Sequence, residues 1–167
     1  KRFLDIAFER TDQRVRTGQS VSPSFLFAAL LWPLVRQQWE ERQSSGVPII
    51  PAMNDAASTI IDNYSPQMFI QRRFQADMRE IWFMQARFER IRNRAIWRLI
   101  EQPRFRAAVD FLQLRAANRE FDSVEAQWWM DLANANHKTR AEMIGERAPA
   151  QKNPRRCRRR RPRKRAA

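Results

Sequence analysis

The sequence predicts an all-α protein: a compact multi-helix bundle over residues 1–146 followed by a disordered arginine-rich tail over residues 147–167. Three observations carry that expectation. Apolar residues recur every three or four positions, the period of a helix face rather than the two-residue period of a strand. Only three glycines occur in 167 residues, and sheets with their turns usually need more. Ser-Pro pairs stand where helices should begin, because serine caps an N-terminus and proline fits the first helical position.

Taken in order, the first helix is expected from about Arg2 to Arg14, ending at the polar Thr17-Gly18-Gln19-Ser20. Ser22-Pro23 opens a second that carries Phe25, Ala28, Ala29, Leu31 and Trp32. Pro33 should kink or interrupt it, and Ser44-Ser45-Gly46 ends it. A third is expected over Pro51 to Tyr64, with Ala52, Ala56, Ala57, Ile60 and Ile61 inward. Ser65-Pro66 repeats the start signal, and Phe74, Met78, Ile81, Gln85, Phe88 and Ile91 then recur at helical spacing. Pro103 opens a helix whose buried stripe is Phe105, Ala108, Val109, Leu112 and Ala116, and a last one spans Val124 to Ala135. Phe74, Trp82, Phe88, Trp97 and Phe111 are expected in the core.

The tail departs from this pattern. Residues 152–165 carry ten cations and no acid, supplying +10 of the formal +14 and leaving +4 elsewhere. Ten like charges repel one another and two prolines deny them a helix, so the segment should stay disordered until it meets a polyanion. RNA is the polyanion a guanidinium suits best, since it grips phosphate with two hydrogen bonds or stacks on a base. The tail residues expected to bind RNA are Arg155, Arg156, Arg158, Arg159, Arg160, Arg161, Arg163, Lys164 and Arg165, and Cys157 among them reads as an incidental thiol.

The body's cations also cluster. Between residues 86 and 106 stand Arg87, Arg90, Arg92, Arg94, Arg98, Arg104 and Arg106 against only Glu89 and Glu101, a local charge of +5. On an unbroken helix Arg87, Arg90, Arg94 and Arg98 would share one stripe, a track for phosphates. Elsewhere Arg36–Glu40, Arg73–Asp77 and Arg106–Asp110 have the i,i+4 spacing of helical ion pairs.

Catalytic chemistry is not expected of these residues. His137 is the single histidine, so a His-based metal site or triad lacks parts. Ser22 and Ser65 read as helix caps, no Asp-x-Asp pair offers two carboxylates to Mg²⁺, and no glycine loop offers amides to phosphate. The longest apolar run, Phe25 to Val35, is about half of the roughly 20 residues that cross a bilayer, and no apolar stretch of signal-peptide length follows Lys1-Arg2. The chain opens without Met and inside an amphipathic pattern, so a piece of a longer protein is expected.

Residues Gln102 to Ala116, Gln-Pro-Arg-Phe-Arg-Ala-Ala-Val-Asp-Phe-Leu-Gln-Leu-Arg-Ala, resemble a stretch of the bacterial poly(A) polymerases, relatives of the CCA-adding tRNA nucleotidyltransferases. Pro23 to Pro33 is similar to that family's Pro-x-Phe-x-x-Ala-Ala-Leu-x-Trp helix, and Ala52-Met53-Asn54-Asp55 to a short motif after it. Arg72-Arg73-Phe74, Arg79-Glu80-Ile81-Trp82 and the arginines from Arg90 to Arg98 resemble its long body helix and basic continuation. Gln102 stands where the family commonly has His, and residues 118–146 match only through Trp128-Trp129.

The resemblance implies the C-terminal helical body and tail of a class II nucleotidyltransferase. They would hold the RNA 3′ end while a catalytic head, outside these residues, adds AMP from ATP with Mg²⁺. It also implies that head and RNA-decay proteins as partners, and a bacterial cytoplasmic setting, peripheral to the membrane at most. Three other readings stand beside it: the C-terminal part of a CCA-adding enzyme, a basic docking module for acidic proteins or an anionic membrane, and a nuclear-localisation signal, which a bacterial setting contradicts.

Overall fold

The computed structural model describes residues 2–18, 20–91 and 93–147, without the side chains of Asn93 and Arg94. Among the described residues there are eight helices and no strand: α1 Arg2–Arg16, α2 Pro23–Ser44, α3 Ile49–Tyr64, α4 Arg72–Phe88, α5 Asn93–Ile100, α6 Phe105–Ala117, α7 Ser123–Asn134 and α8 His137–Glu146. The all-α expectation holds. The tail residues 148–167 lie outside the described residues.

Two hydrophobic clusters share a wall made by α4 and α6. The first gathers Phe3 and Ala7 of α1, Trp32, Val35 and Trp39 of α2, and Met53, Ile60 and Ile61 of α3 against Met78, Ile81 and Trp82 of α4 and Phe111 of α6. The second packs Met84 and Phe88 of α4 and Phe105, Val109 and Leu112 of α6 onto Ile96 and Leu99 of α5, Trp129 and Leu132 of α7, and Ile144 of α8. Fully burying one such side chain contributes about 1.5–3 kcal/mol. Trp82, Phe88 and Phe111 are buried as expected, while Phe74 and Trp97 are half-buried at the edges.

Polar groups fix the register between helices. Ser24 Oγ donates to Asp77 Oδ2 at 3.2 Å and Trp82 Nε1 to the Ala28 carbonyl at 3.1 Å, so α2 and α4 run parallel. Arg104 reaches Asp77, Gln85 Nε2 donates to the Ala108 carbonyl at 3.0 Å, and Arg115 reaches Glu89, so α6 runs parallel to α4. Arg14 lies beside Arg104 and Arg106 at the start of α6 and meets Asp110, while Arg2 and Phe3 lie beside Asn118 and Glu120 just past its end, which lays α1 antiparallel to α6.

Four local expectations are corrected. Pro33 does not interrupt α2, because Leu31, Trp32 and Val35 bury around one exposed proline and outweigh its missing hydrogen bond. Ser65 closes α3 instead of opening α4: its N–H donates to the Ile61 carbonyl at 2.9 Å, and α4 starts only at Arg72. The expected Arg73–Asp77 pair is not formed, since Asp77 turns to Ser24 and Arg104 while Arg73 lies over the Phe74 ring at 4.6 Å. Helix α8 was not singled out as an element, although Asn136 caps it by accepting from Thr139 N–H at 2.9 Å.

Two non-glycine residues take left-handed backbone, Phe69 (φ 53°) and Arg119 (φ 62°). A Cβ in that region costs roughly 1–2 kcal/mol. Each sits where a 6→1 bond closes a helical turn: Ile70 N–H to the Ser65 carbonyl at 3.0 Å, and Glu120 N–H to the Arg115 carbonyl at 2.8 Å.

Candidate nucleic-acid interface

The basic window does not form one unbroken stripe. Helix α4 stops at Phe88, Arg90 N–H turns back to the Arg87 carbonyl at 3.1 Å, and α5 begins at Asn93. The break lets Ile96 and Leu99 turn inward and join Phe88 in the second cluster. Its consequence is spatial. Arg87 and Arg90 lie at the Glu89–Arg115 end of α6, whereas Arg104 and Arg106 lie at its start. Eleven helical residues at about 1.5 Å each separate the two ends, roughly 16 Å.

At the far end, Arg87 is half-buried with its guanidinium 4.5 Å over the Phe83 ring, and Arg90 is exposed. Arg98 lies instead on α5, tied back towards the start of α6 by Gln102, whose Nε2 donates to the Arg98 carbonyl at 3.1 Å and whose own carbonyl accepts from Phe105 N–H at 3.0 Å. Arg98 is exposed, and neither Arg90 nor Arg98 has an ion-pair partner among the described residues. Arg94 belongs to α5 with its side chain undescribed, and Arg92 lies outside the described residues. So do Arg155, Arg156, Arg158, Arg159, Arg160, Arg161, Arg163, Lys164 and Arg165.

The near end holds a groove of about 920 Å³ between the C-terminal half of α1 and the start of α6. Arg104 and Arg106 line one side, Arg10 and Arg14 the other, with Phe25 and Met130 as apolar floor. Asp110 sits between, 3.4 Å from both Arg14 and Arg106, and Arg104 is held by Asp77 at 2.8 Å. Arg106 also bonds Asn134. One or two hydrogen bonds per guanidinium leave further donors free and fix the fork in place, so a phosphate meets pre-positioned cations. Arg10 has no ion-pair partner among the described residues and is exposed.

Sequence reasoning missed Arg10 and Arg14, which stand about ninety residues from Arg104 and come beside it only through the fold. It also missed Arg115. This side chain is 3% exposed and bonds Glu89 at 2.7 Å, lies 3.8 Å from Glu120, and stacks over Trp32 at 5.1 Å. Burial pushes its pKa below the ordinary arginine value, and Glu89 and then Glu120 oppose that shift. Glu120 in turn accepts from Trp32 Nε1 at 2.8 Å and from Arg36 at 2.6 Å. Arg36 is pushed up by the hydrogen bond to Glu40, against some desolvation, with Glu120 adding to the rise. This network braces the scaffold from inside and leaves the groove to face solvent.

Among the described residues no three His, Cys, Asp or Glu side chains gather as a metal site, and no helix is long and apolar enough to cross a membrane.

Residues 45–165 match the model of the family described as polymerase A arginine-rich C-terminus. The chain is 36% identical over 170 residues to poly(A) polymerase I of Salmonella typhi and 34% identical over 170 residues to that of Escherichia coli O157:H7, both over 99% of its own length. It is 31% identical over 148 residues to the Haemophilus influenzae poly(A) polymerase I, over 87% of its length. It spans only about a third of those relatives, 36% of the first two and 33% of the third. With the family model covering most of its residues, the chain belongs to the family of the polymerase A arginine-rich C-terminus.

Proposed function

We propose that this chain is the part of a bacterial poly(A) polymerase that holds RNA near its 3′ end while a nucleotidyltransferase head elsewhere in the protein adds AMP from ATP. ATP and Mg²⁺ would be bound by that head. The observation that carries the reading is the placement of charge. Four arginines line the groove between α1 and α6, Arg90 beyond α4 and Arg98 on α5 are exposed with no ion-pair partner among the described residues, and ten further cations follow in residues 152–165. Phosphate contacts of this kind hold a strand without choosing its sequence.

Counterion release supplies the test. Neutralising about six phosphates of single-stranded RNA gives a log–log slope of affinity against salt near −4. Fluorescence anisotropy with oligo(A) is expected to show a slope at least that steep, flattened by several units when residues 152–165 are deleted. Arg90→Glu with Arg98→Glu breaks no ion pair of the described structure, and is expected to weaken what binding the truncated chain retains. Absence of binding in dilute buffer overturns the reading. An unchanged slope after truncation removes the tail from it.

A further inference from the structure

The turn between α3 and α4 presents Phe69, 90% exposed, the most exposed of the large apolar side chains among the described residues. Its backbone is left-handed at φ 53°, a conformation that glycine adopts without penalty. The turn is tied on both sides. Ile70 is buried, its N–H bonds the Ser65 carbonyl, and Gln75 Nε2 donates to the Ile70 carbonyl at 2.7 Å. The phenyl ring is thereby held out into water by a backbone that resists carrying it.

Arg119 shares the left-handed backbone, but its side chain is polar and its turn delivers Glu120 to Arg36 and Trp32. Phe69 has no ring partner within the described structure. Strain and exposure both disfavour it in the free protein, so its compensation belongs to a bound state. The neighbouring charge shows what kind. From Asn63 to Ala76 the chain carries Arg72 and Arg73 and no acid. Arg73 lies over Phe74, whereas Arg72 is exposed and without a partner among the described residues.

We infer that Phe69 and Arg72 form a base-stacking site for single-stranded RNA, with a nucleobase on the Phe69 ring and an adjacent phosphate on the Arg72 guanidinium. An exposed flat apolar face followed three residues later by an exposed cation matches the two halves of a nucleotide. An acidic peptide would occupy Arg72 and leave the ring without a flat partner. The site lies at the groove's end of the bundle, because α4 begins at Arg72 and its Asp77 holds Arg104. This inference rests on the RNA-holding role proposed above.

The test uses the full chain with Phe69→Gly and Phe69→Trp. Removing the side chain relieves the backbone, so Phe69→Gly is expected to raise Tm by about 2–4 °C while weakening oligo(A) binding about five- to tenfold. Phe69→Trp should keep the affinity. An oligonucleotide bearing 5-iodouridine should photocross-link to the peptide containing Phe69. Unchanged oligo(A) affinity in Phe69→Gly, adducts confined to residues 152–165, or a selective loss of polyglutamate binding would each overturn the site while leaving the RNA-holding role intact. If the unaltered chain binds no oligonucleotide at all, that role fails and the site with it.

Discussion

Arg115 shows how one residue can be a liability and a brace together. Its guanidinium is desolvated, yet Glu89 and Glu120 supply charge and Trp32, Trp39 and Phe121 supply ring faces. Taking one member out of such a set leaves the others buried and unbalanced, which costs about 3–5 kcal/mol. Arg115→Met is therefore expected to lower unfolding stability by about 3 kcal/mol in urea titrations. Adding Glu89→Gln should recover part of the loss, since it discharges the carboxylate that has lost its 2.7 Å partner, whereas Glu120 keeps Arg36. Sequence held a clue here: Arg115 lies four residues after Phe111 and seven after Ala108, on the buried stripe itself. Arg10 and Arg14 left no such clue, because only the docking of α1 on α6 makes them neighbours of Arg104 and Arg106.

At the scale of elements, periodicity located six of the eight helices among the described residues and located their ends less well. Start signals failed where tertiary packing competed with them. Ser65-Pro66 has the form of a cap, but burial of Ser65 and Ile70 turns it into a stop. The α4–α5 break follows from the need to bury Ile96 and Leu99, which no local residue announces. Pro33 is the opposite case, a strong local signal overruled by its neighbours. It stays exposed in mid-helix with no N–H for the ladder. Pro33→Ala is expected to raise stability by about 1–3 kcal/mol, read as a higher urea midpoint. A fall would mean that the proline ring packs against α1 more than its exposure suggests.

For the whole molecule, the class, the basic character and the family resemblance were all readable in the residues, whereas the groove was not. Charge composition survives any fold, but a groove depends on which helices lie side by side. The two clusters share α4 and α6, so neither can lose its packing while the other keeps it. Heating is expected to give one cooperative transition by both circular dichroism and tryptophan fluorescence. Helix α8 adds only Ile144 to the buried residues, so its amides should exchange with deuterium first, well before those of α4 and α6. Two separated transitions would mean that the shared wall does not couple the clusters.

That wall has a mechanical side as well. If the groove between α1 and α6 holds a strand as proposed, a tug on that strand would load α6, which is rooted in both halves of the interior. With α6 packed into both clusters, it would yield only when the packing behind it lets go.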